Sequence, residues 1–125
     1  MLTKDQILSS KDLPVQEVEI PEWGGSVFVR TMNGFERDAF EQSIADGKKS
    51  NLANIRARFA AKVVVDAEGN RIFSDADAEE LGKKSAGALG RIFDVGSKLN
   101  GLSGKDVEEL EKNSGAAQSE DSTSD

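Results

Sequence analysis

The stretch from Ala86 to Leu99 constrains this chain more than any other part of it. Projected at about 100° per residue, Ala86, Leu89, Ile92, Phe93, Val95, Gly96 and Leu99 fill one half of the circle, while Lys84, Arg91, Asp94 and Lys98 fill the other. A helix divided in this way has to lay its apolar half against something. Gly87, Gly90 and Gly96 lie within it, each costing roughly 1 kcal/mol relative to Ala in a helix interior. Gly96 stands on the apolar face, where a missing side chain lets another element approach closely. Asn100-Gly101 ends the helix.

Upstream residues supply what could cover that face. Thr3-Lys4-Asp5-Gln6 has the spacing of a capping box, so a short helix is expected through Ser9, stopped by Leu13-Pro14. Val15-Gln16-Glu17-Val18-Glu19-Ile20 alternates as a half-buried strand does, Pro21 to Gly25 reads as a turn, and Ser26-Val27-Phe28-Val29-Arg30-Thr31 reads as the returning strand. A lone hairpin is marginal in water, so this one needs a helix or a further strand on its apolar face.

Asn33, with Glu36 three residues on, caps a second helix whose broad apolar face is read as Phe35, Ala39, Phe40 and Ile44, ending at Asp46-Gly47. From Asn51, the residues Leu52, Ile55, Phe59 and Val63 fall on one helical stripe. Val63-Val64-Val65 fits either the end of that helix or a strand, because Asp66-Ala67-Glu68-Gly69-Asn70 is a turn and Arg71-Ile72-Phe73 resembles a short returning strand. The sequence leaves that boundary open. Ser74-Asp75-Ala76-Asp77 carries N-cap chemistry for a short helix ending at Gly82, and Ser103-Gly104-Lys105-Asp106 opens a last helix bearing Val107 and Leu110. Ser114 to Asp125 has only alanines as apolar residues, too little to offset the entropy of ordering it. The expectation is an α+β fold: an N-terminal β-hairpin packed on a mainly α-helical domain over residues 1–113, then a disordered polar and acidic tail over residues 114–125.

Composition removes several chemistries. With no cysteine and no histidine among its 125 residues, the chain has no thiol nucleophile, no Ser-His pair, no zinc-finger ligand set and no disulfide framework. Its net charge of −7 opposes long-range attraction to nucleic acid and to anionic membranes. The tail holds Glu120, Asp121 and Asp125, and the rest keeps 20 acids against 16 bases. No basic segment followed by an apolar one opens the chain and no long apolar run occurs, so a soluble, cytoplasmic protein is expected.

Three clusters invite a sharper reading. Asp66, Glu68, Asp75, Asp77, Glu79 and Glu80 lie close together, but their spacing does not match a calcium loop, and turn and helix-cap chemistry accounts for them. Lys48, Lys49, Arg56, Arg58 and Lys62 form an acid-free basic run, yet on a helix Arg56 points away from Arg58 and Lys62, so no single groove-reading face results. Gly24-Gly25 lacks the downstream Gly-Lys-Ser/Thr of a phosphate loop. No catalytic, metal or cofactor residue is assigned. Trp23, the sole tryptophan, either closes one end of the core or contacts a partner. Leu99, Leu102, Val107 and Leu110 pose the same choice.

Leu13-Pro14, Glu17-Val18-Glu19-Ile20-Pro21-Glu22-Trp23-Gly24-Gly25 and Val27-Phe28-Val29-Arg30 together resemble the short tail assembly chaperones of long-tailed bacteriophages and prophages. So do Phe35-Glu36-Arg37-Asp38, Phe73-Ser74-Asp75-Ala76-Asp77 and Leu99-Asn100-Gly101-Leu102 ahead of an acidic last helix. The resemblance spans about Leu2 to Asn113. It implies a non-enzymatic protein, without cofactor, that acts in the host cytoplasm and is absent from the mature virion. Such chaperones hold the tape measure protein soluble and help recruit tail tube protein around it. The resemblance further implies homo-oligomers and a longer, frameshifted form of the chain as partners, with Ser114 to Asp125 suiting the normally terminated form. The competing reading is a structural or connector protein retained in the tail, and a small carboxylate hydrolase stands third.

Overall fold

The computed structural model describes residues 1–45 and 51–102. The Asp46-Gly47 helix stop, Lys48 and Lys49, the expected last helix with Val107 and Leu110, and the tail lie outside the described residues.

Helix α1 (Lys4–Ser9) forms as its capping box requires: Gln6 N–H donates to Thr3 Oγ1 at 3.2 Å, and Thr3 N–H donates to Gln6 Oε1 at 2.9 Å. Strands β1 (Val15–Ile20) and β2 (Gly25–Arg30) make the expected antiparallel hairpin, joined by a 3₁₀ turn at Pro21–Trp23 that Gly24 closes at φ 73°. Alternation decides which face is inside. Val18 and Ile20 are buried while Glu17 and Glu19 are exposed, and the register opposes Val18 to Val27 and Gln16 to Val29.

The boundary left open in the sequence resolves into both elements. Helix α3 (Ile55–Val63) passes directly into a short strand β3 (Val64–Val65), which pairs antiparallel with β2, Val29 opposite Val64, giving the order β1-β2-β3. Beyond the Asp66–Asn70 turn the return is a single bridge, Val65 to Arg71, not a strand. Asp66 Oδ1 accepts both the Glu68 and Asn70 N–H groups at 2.9 Å while the Asp66 N–H donates to the Asn70 carbonyl at 2.8 Å, so side-chain and backbone bonds together hold the turn.

Helix α3 begins at Ile55, three residues after Leu52, the first member of the stripe. Asn54 takes φ 55° and donates its side-chain amide to the Ala78 carbonyl at 2.8 Å, which breaks the helical path before Ile55. Leu52 nevertheless packs against the core. The helix is central: Ile55, Ala57, Phe59, Ala60, Ala61, Lys62 and Val63 are all buried. Its alanines let neighbours close on it from several sides.

Helix α2 (Gly34–Ile44) corrects the expected face. Phe40 is buried and Ile44 packs against the core, but Phe35 is 91% exposed and Ala39 is exposed. Each pair is spaced i, i+4, so spacing alone could not choose between them. The choice is made by Glu36, which accepts the Asn33 N–H and receives both bonds of Arg30 Nη2 at 2.7 and 2.8 Å, turning its side of the helix towards β2.

Helix α4 (Ala78–Leu81) follows a 3₁₀ turn at Asp75–Asp77, and α5 (Ala86–Leu99) completes the described fold. The α5 stripe is buried at Leu89, Ile92, Phe93 and Gly96, whereas Ala86, at the first helical position, is exposed. The element that Gly96 admits is α3: a Cβ there would lie 2.6 Å from Phe59 Cε2 and 3.5 Å from Val29 Cγ1. Phe59 in turn meets Phe93 edge-on at 5.4 Å and Phe40 at 5.5 Å between centroids. The C-terminus of α5 ends in a Schellman arrangement, with Gly101 at φ 70°, Gly101 N–H to Lys98 O at 3.1 Å and Leu102 N–H to Ser97 O at 3.0 Å.

Two substitutions test this packing. At Gly90 a Cβ meets nothing within 4 Å, so Gly90→Ala should stabilise by up to about 1 kcal/mol through helix propensity alone. Gly96→Ala gains the same propensity yet collides with Phe59, a kind of overpacking that costs typically about 1–3 kcal/mol, and should lower the denaturation midpoint. Asn100 accepts the Met32 N–H at 2.7 Å and donates to Gly96 O at 2.7 Å. Asn100→Ala strands the Met32 donor and should cost about 1–3 kcal/mol in chemical denaturation.

Candidate binding groove

Trp23 sits at the end of the hairpin turn, and the residue before it fixes its placement. Glu22 receives Arg91 Nε of α5 at 2.9 Å on Oε1 and 3.2 Å on Oε2, and the absent side chain of Gly87 leaves room for that carboxylate, since a Cβ there would lie 2.9 Å from Oε2. The Arg91 guanidinium holds the Glu22 carboxyl below its ordinary value, and Glu22 raises Arg91 in return. With Glu22 tied to α5, half-buried Trp23 packs against the core and forms one wall of an open groove of about 700 Å³.

Ile72 and Phe73 line the same groove, with Leu81 of α4, while Asp77, Glu80 and Lys84 occupy its rim. The segment bearing Ile72 and Phe73 is pinned from beneath. Arg71 donates to the Ala61 carbonyl from Nε at 3.0 Å and Nη2 at 2.7 Å, and Asp75 bridges Arg71 at 2.7 Å and the buried Lys62 at 3.0 Å. Asp75 is thereby held below the usual carboxylate range, by Arg71 first, against the raising effect of burial, with Lys62 adding to the lowering. Ile72 remains 54% exposed. A half-open apolar surface between rigidly tied elements is suited to receive an apolar segment.

The other sequence candidates lie elsewhere. Leu99 is half-buried against the core, and half-buried Leu102 closes the Schellman turn. Arg91, which holds the Trp23 turn, is eight residues from Leu99, or about 12 Å along the helix, so Trp23 and this pair form separate surfaces. Val107 and Leu110 lie outside the described residues. Sequence reading missed Ile72, Phe73 and Leu81. One signal was present: Phe73 directly precedes the Ser74 cap, with Ala78 at the position where a hydrophobic staple would close.

The acidic cluster is engaged in local structure: Asp66 in its turn, Asp75 with two cations, and Asp77 accepting the Ser74 N–H at 2.8 Å. Among the described residues no group of three or more acids is placed to hold a metal ion. The described members of the basic run are engaged within the fold as well. Arg58 donates to the Asn51 and Ala53 carbonyls at 2.9 Å, Lys62 is buried against Asp75, and Arg56 lies 5.4 Å over the Phe93 ring. No helix among the described residues is long and apolar enough to cross a membrane.

Among solved structures, the chain is similar to the bacteriophage HK97 tail assembly chaperone. The two are 19% identical, the match covers 76% of this chain and 94% of that one, and the TM-score is 0.57. At that identity the likeness is one of fold. No family model matches the chain, and no curated protein matches it.

The Asp75 tie that supports the groove segment should respond to acid. A carboxyl whose folded pKa lies below its unfolded value contributes stability that is fully present above the unfolded pKa and is lost as pH falls through the folded one. The difference in denaturation midpoint between the wild type and Asp75→Asn should therefore be widest near neutral pH and close below about pH 4.

Proposed function

We propose that this chain is a tail assembly chaperone of a long-tailed phage or prophage, which keeps the tape measure protein soluble and helps recruit tail tube protein around it. The observation that carries the reading is the fold shared with a tail assembly chaperone over most of both chains. The surface chemistry supports it. A tape measure protein exposes long apolar helical stripes before the tube encloses it, and the groove at Trp23, Ile72 and Phe73 presents apolar surface on an acidic body. Leu99 and Leu102, with Val107 and Leu110 beyond the described residues, form the second contact in this reading. The work is binding, in the host cytoplasm, and ends before the tail is complete.

A connector retained in the finished tail is the alternative, and the edge position of β1 favours it, because a neighbour's strand could add there. Glu17 and Glu19 point out from that strand and discourage such pairing, so the chaperone reading is preferred.

Co-expression with the tape measure protein decides between them. The chaperone reading expects the tape measure protein to move into the soluble fraction and copurify with this chain, and expects the chain to be missing from purified mature particles. Trp23→Ala and Ile72→Asp should reduce copurification by about tenfold, the effect of losing one hot-spot side chain. An insoluble tape measure protein, or this chain present in mature particles, would remove the reading.

A further inference from the structure

A charge imbalance stands on another side of the molecule. Helices α2 and α3 and the Asp75 turn enclose a pocket of about 330 Å³ whose charged lining is Arg58, Lys62 and Asp75. Asp75 already serves two cations, Lys62 at 3.0 Å and Arg71 at 2.7 Å. Arg58, one helical turn before Lys62, bonds only neutral acceptors among the described residues: the Asn51 and Ala53 carbonyls and Ser43 Oγ. Those bonds take up at most three of its five N–H groups. Burial pushes its guanidinium below the ordinary value, with no carboxylate beside it to offset the cost. Three cations thus meet one acid, in a chain whose net charge is −7.

Helix α2 presents apolar surface beside that pocket. Phe35 is 91% exposed, and Ala39, one turn further along, is exposed and lines the pocket with Ser43. We propose that residues 103–113 dock across this face of their own chain, with Val107 and Leu110 on Phe35 and Ala39 and the Glu111 carboxylate at Arg58. Each side supplies what the other lacks. On a helix Glu111 follows Val107 by one turn, on the same side, while Glu109 points the other way.

Connectivity and charge both select this segment. The chain leaves α5 beside α2, where Asn100 Oδ1 accepts the Met32 N–H at 2.7 Å and Arg37 Nη1 donates to the Asn100 carbonyl at 3.1 Å. Ser43 lies six residues beyond Arg37, about 9 Å along the helix. The four residues between Leu102 and Val107 span up to about 14 Å, so the segment reaches the pocket directly. The stretch after Leu102 holds seven acids against two lysines, the charge that the pocket lacks. A tether this short gives a millimolar effective concentration, which favours the chain's own segment over one from a second copy.

The meaning of the contact for assembly rests on the chaperone reading. There Val107 and Leu110 belong to the client surface, so docking on α2 withholds them until an apolar client competes for them. The contact itself requires no client and is tested without one.

The chain has no cysteine, so a nitroxide can be attached at a single introduced one. Gln42→Cys serves, because Gln42 is exposed and its replacement leaves Ala39 and Ser43 in place. In the isotope-enriched full-length chain the nitroxide should broaden the amide signals of residues 106–111, equally at every protein concentration. A mixture of spin-labelled, unenriched chain with enriched chain lacking the label should broaden none of these signals. Glu111→Lys and Ala39→Glu should each reduce the broadening about threefold, the size of one partly exposed ion pair, whereas Glu109→Lys should stay close to the unsubstituted chain. Arg58→Gln should match Glu111→Lys; if thermal melts show that it does not fold, Ala39→Glu, at an exposed position, tests the same face. Signals of residues 106–111 left sharp would overturn the proposal, as would broadening in the mixture or equal losses in Glu109→Lys and Glu111→Lys. Failure of tape measure copurification with these results intact would remove the client reading and leave the contact standing.

Discussion

The approach of Phe59 to Gly96 is the contact on which the rest of this structure depends. Phe59 is fully buried in α3, and its ring occupies the space that a side chain at position 96 of α5 would take. Because the two helices meet there, Phe93 and Phe40 can stack around the same ring, and Val29 of β2 reaches the same point from the sheet. One missing Cβ thus joins three elements. The roughly 1 kcal/mol of helix propensity forgone at a glycine is small beside the burial of several large side chains, each contributing about 1.5–3 kcal/mol.

That contact also decides what α5 can do. A helix so sharply divided could serve a partner as readily as a core, and the sequence does not distinguish the two. Once Phe59 and the sheet take up Leu89, Ile92, Phe93 and Gly96, the apolar face of α5 lies inside the fold. The polar face is put to structural use as well. Arg91 holds the hairpin turn through Glu22, and Asn100 at the helix end binds the Met32 N–H that leads into α2.

Legibility followed periodicity. The hairpin, the α1 and α2 caps, the α5 stripe and its stop at Asn100-Gly101 were readable because each depends on neighbours within a few residues. Reading failed where a distant residue decides. Phe35-Ala39 and Phe40-Ile44 are equivalent by spacing, and it is Arg30 of β2 that turns the second pair inward. The start of α3 moved because Asn54 bonds to Ala78, 24 residues away. The groove was legible only in Trp23, since Ile72 and Phe73 look like strand residues, whereas the pairing stops at the Val65–Arg71 bridge and the bond from the Ile72 N–H to the Val64 carbonyl at 3.2 Å.

The same reasoning accounts for the groove, whose open apolar walls at Trp23, Ile72 and Phe73 lie on connections rather than on α3 or α5. A side chain within α3 or α5 is committed to the core by the same period that makes its helix amphipathic. Residues in the hairpin turn and in the segment after β3 have no such period to obey, and their backbone is fixed by polar ties: Glu22 to Arg91, Arg71 to Ala61, and Asp75 to Lys62. Those ties position Trp23, Ile72 and Phe73 without requiring the side chains themselves to be buried. A surface built this way can stand open or be covered with every polar tie intact and no part of the Phe59 core disturbed.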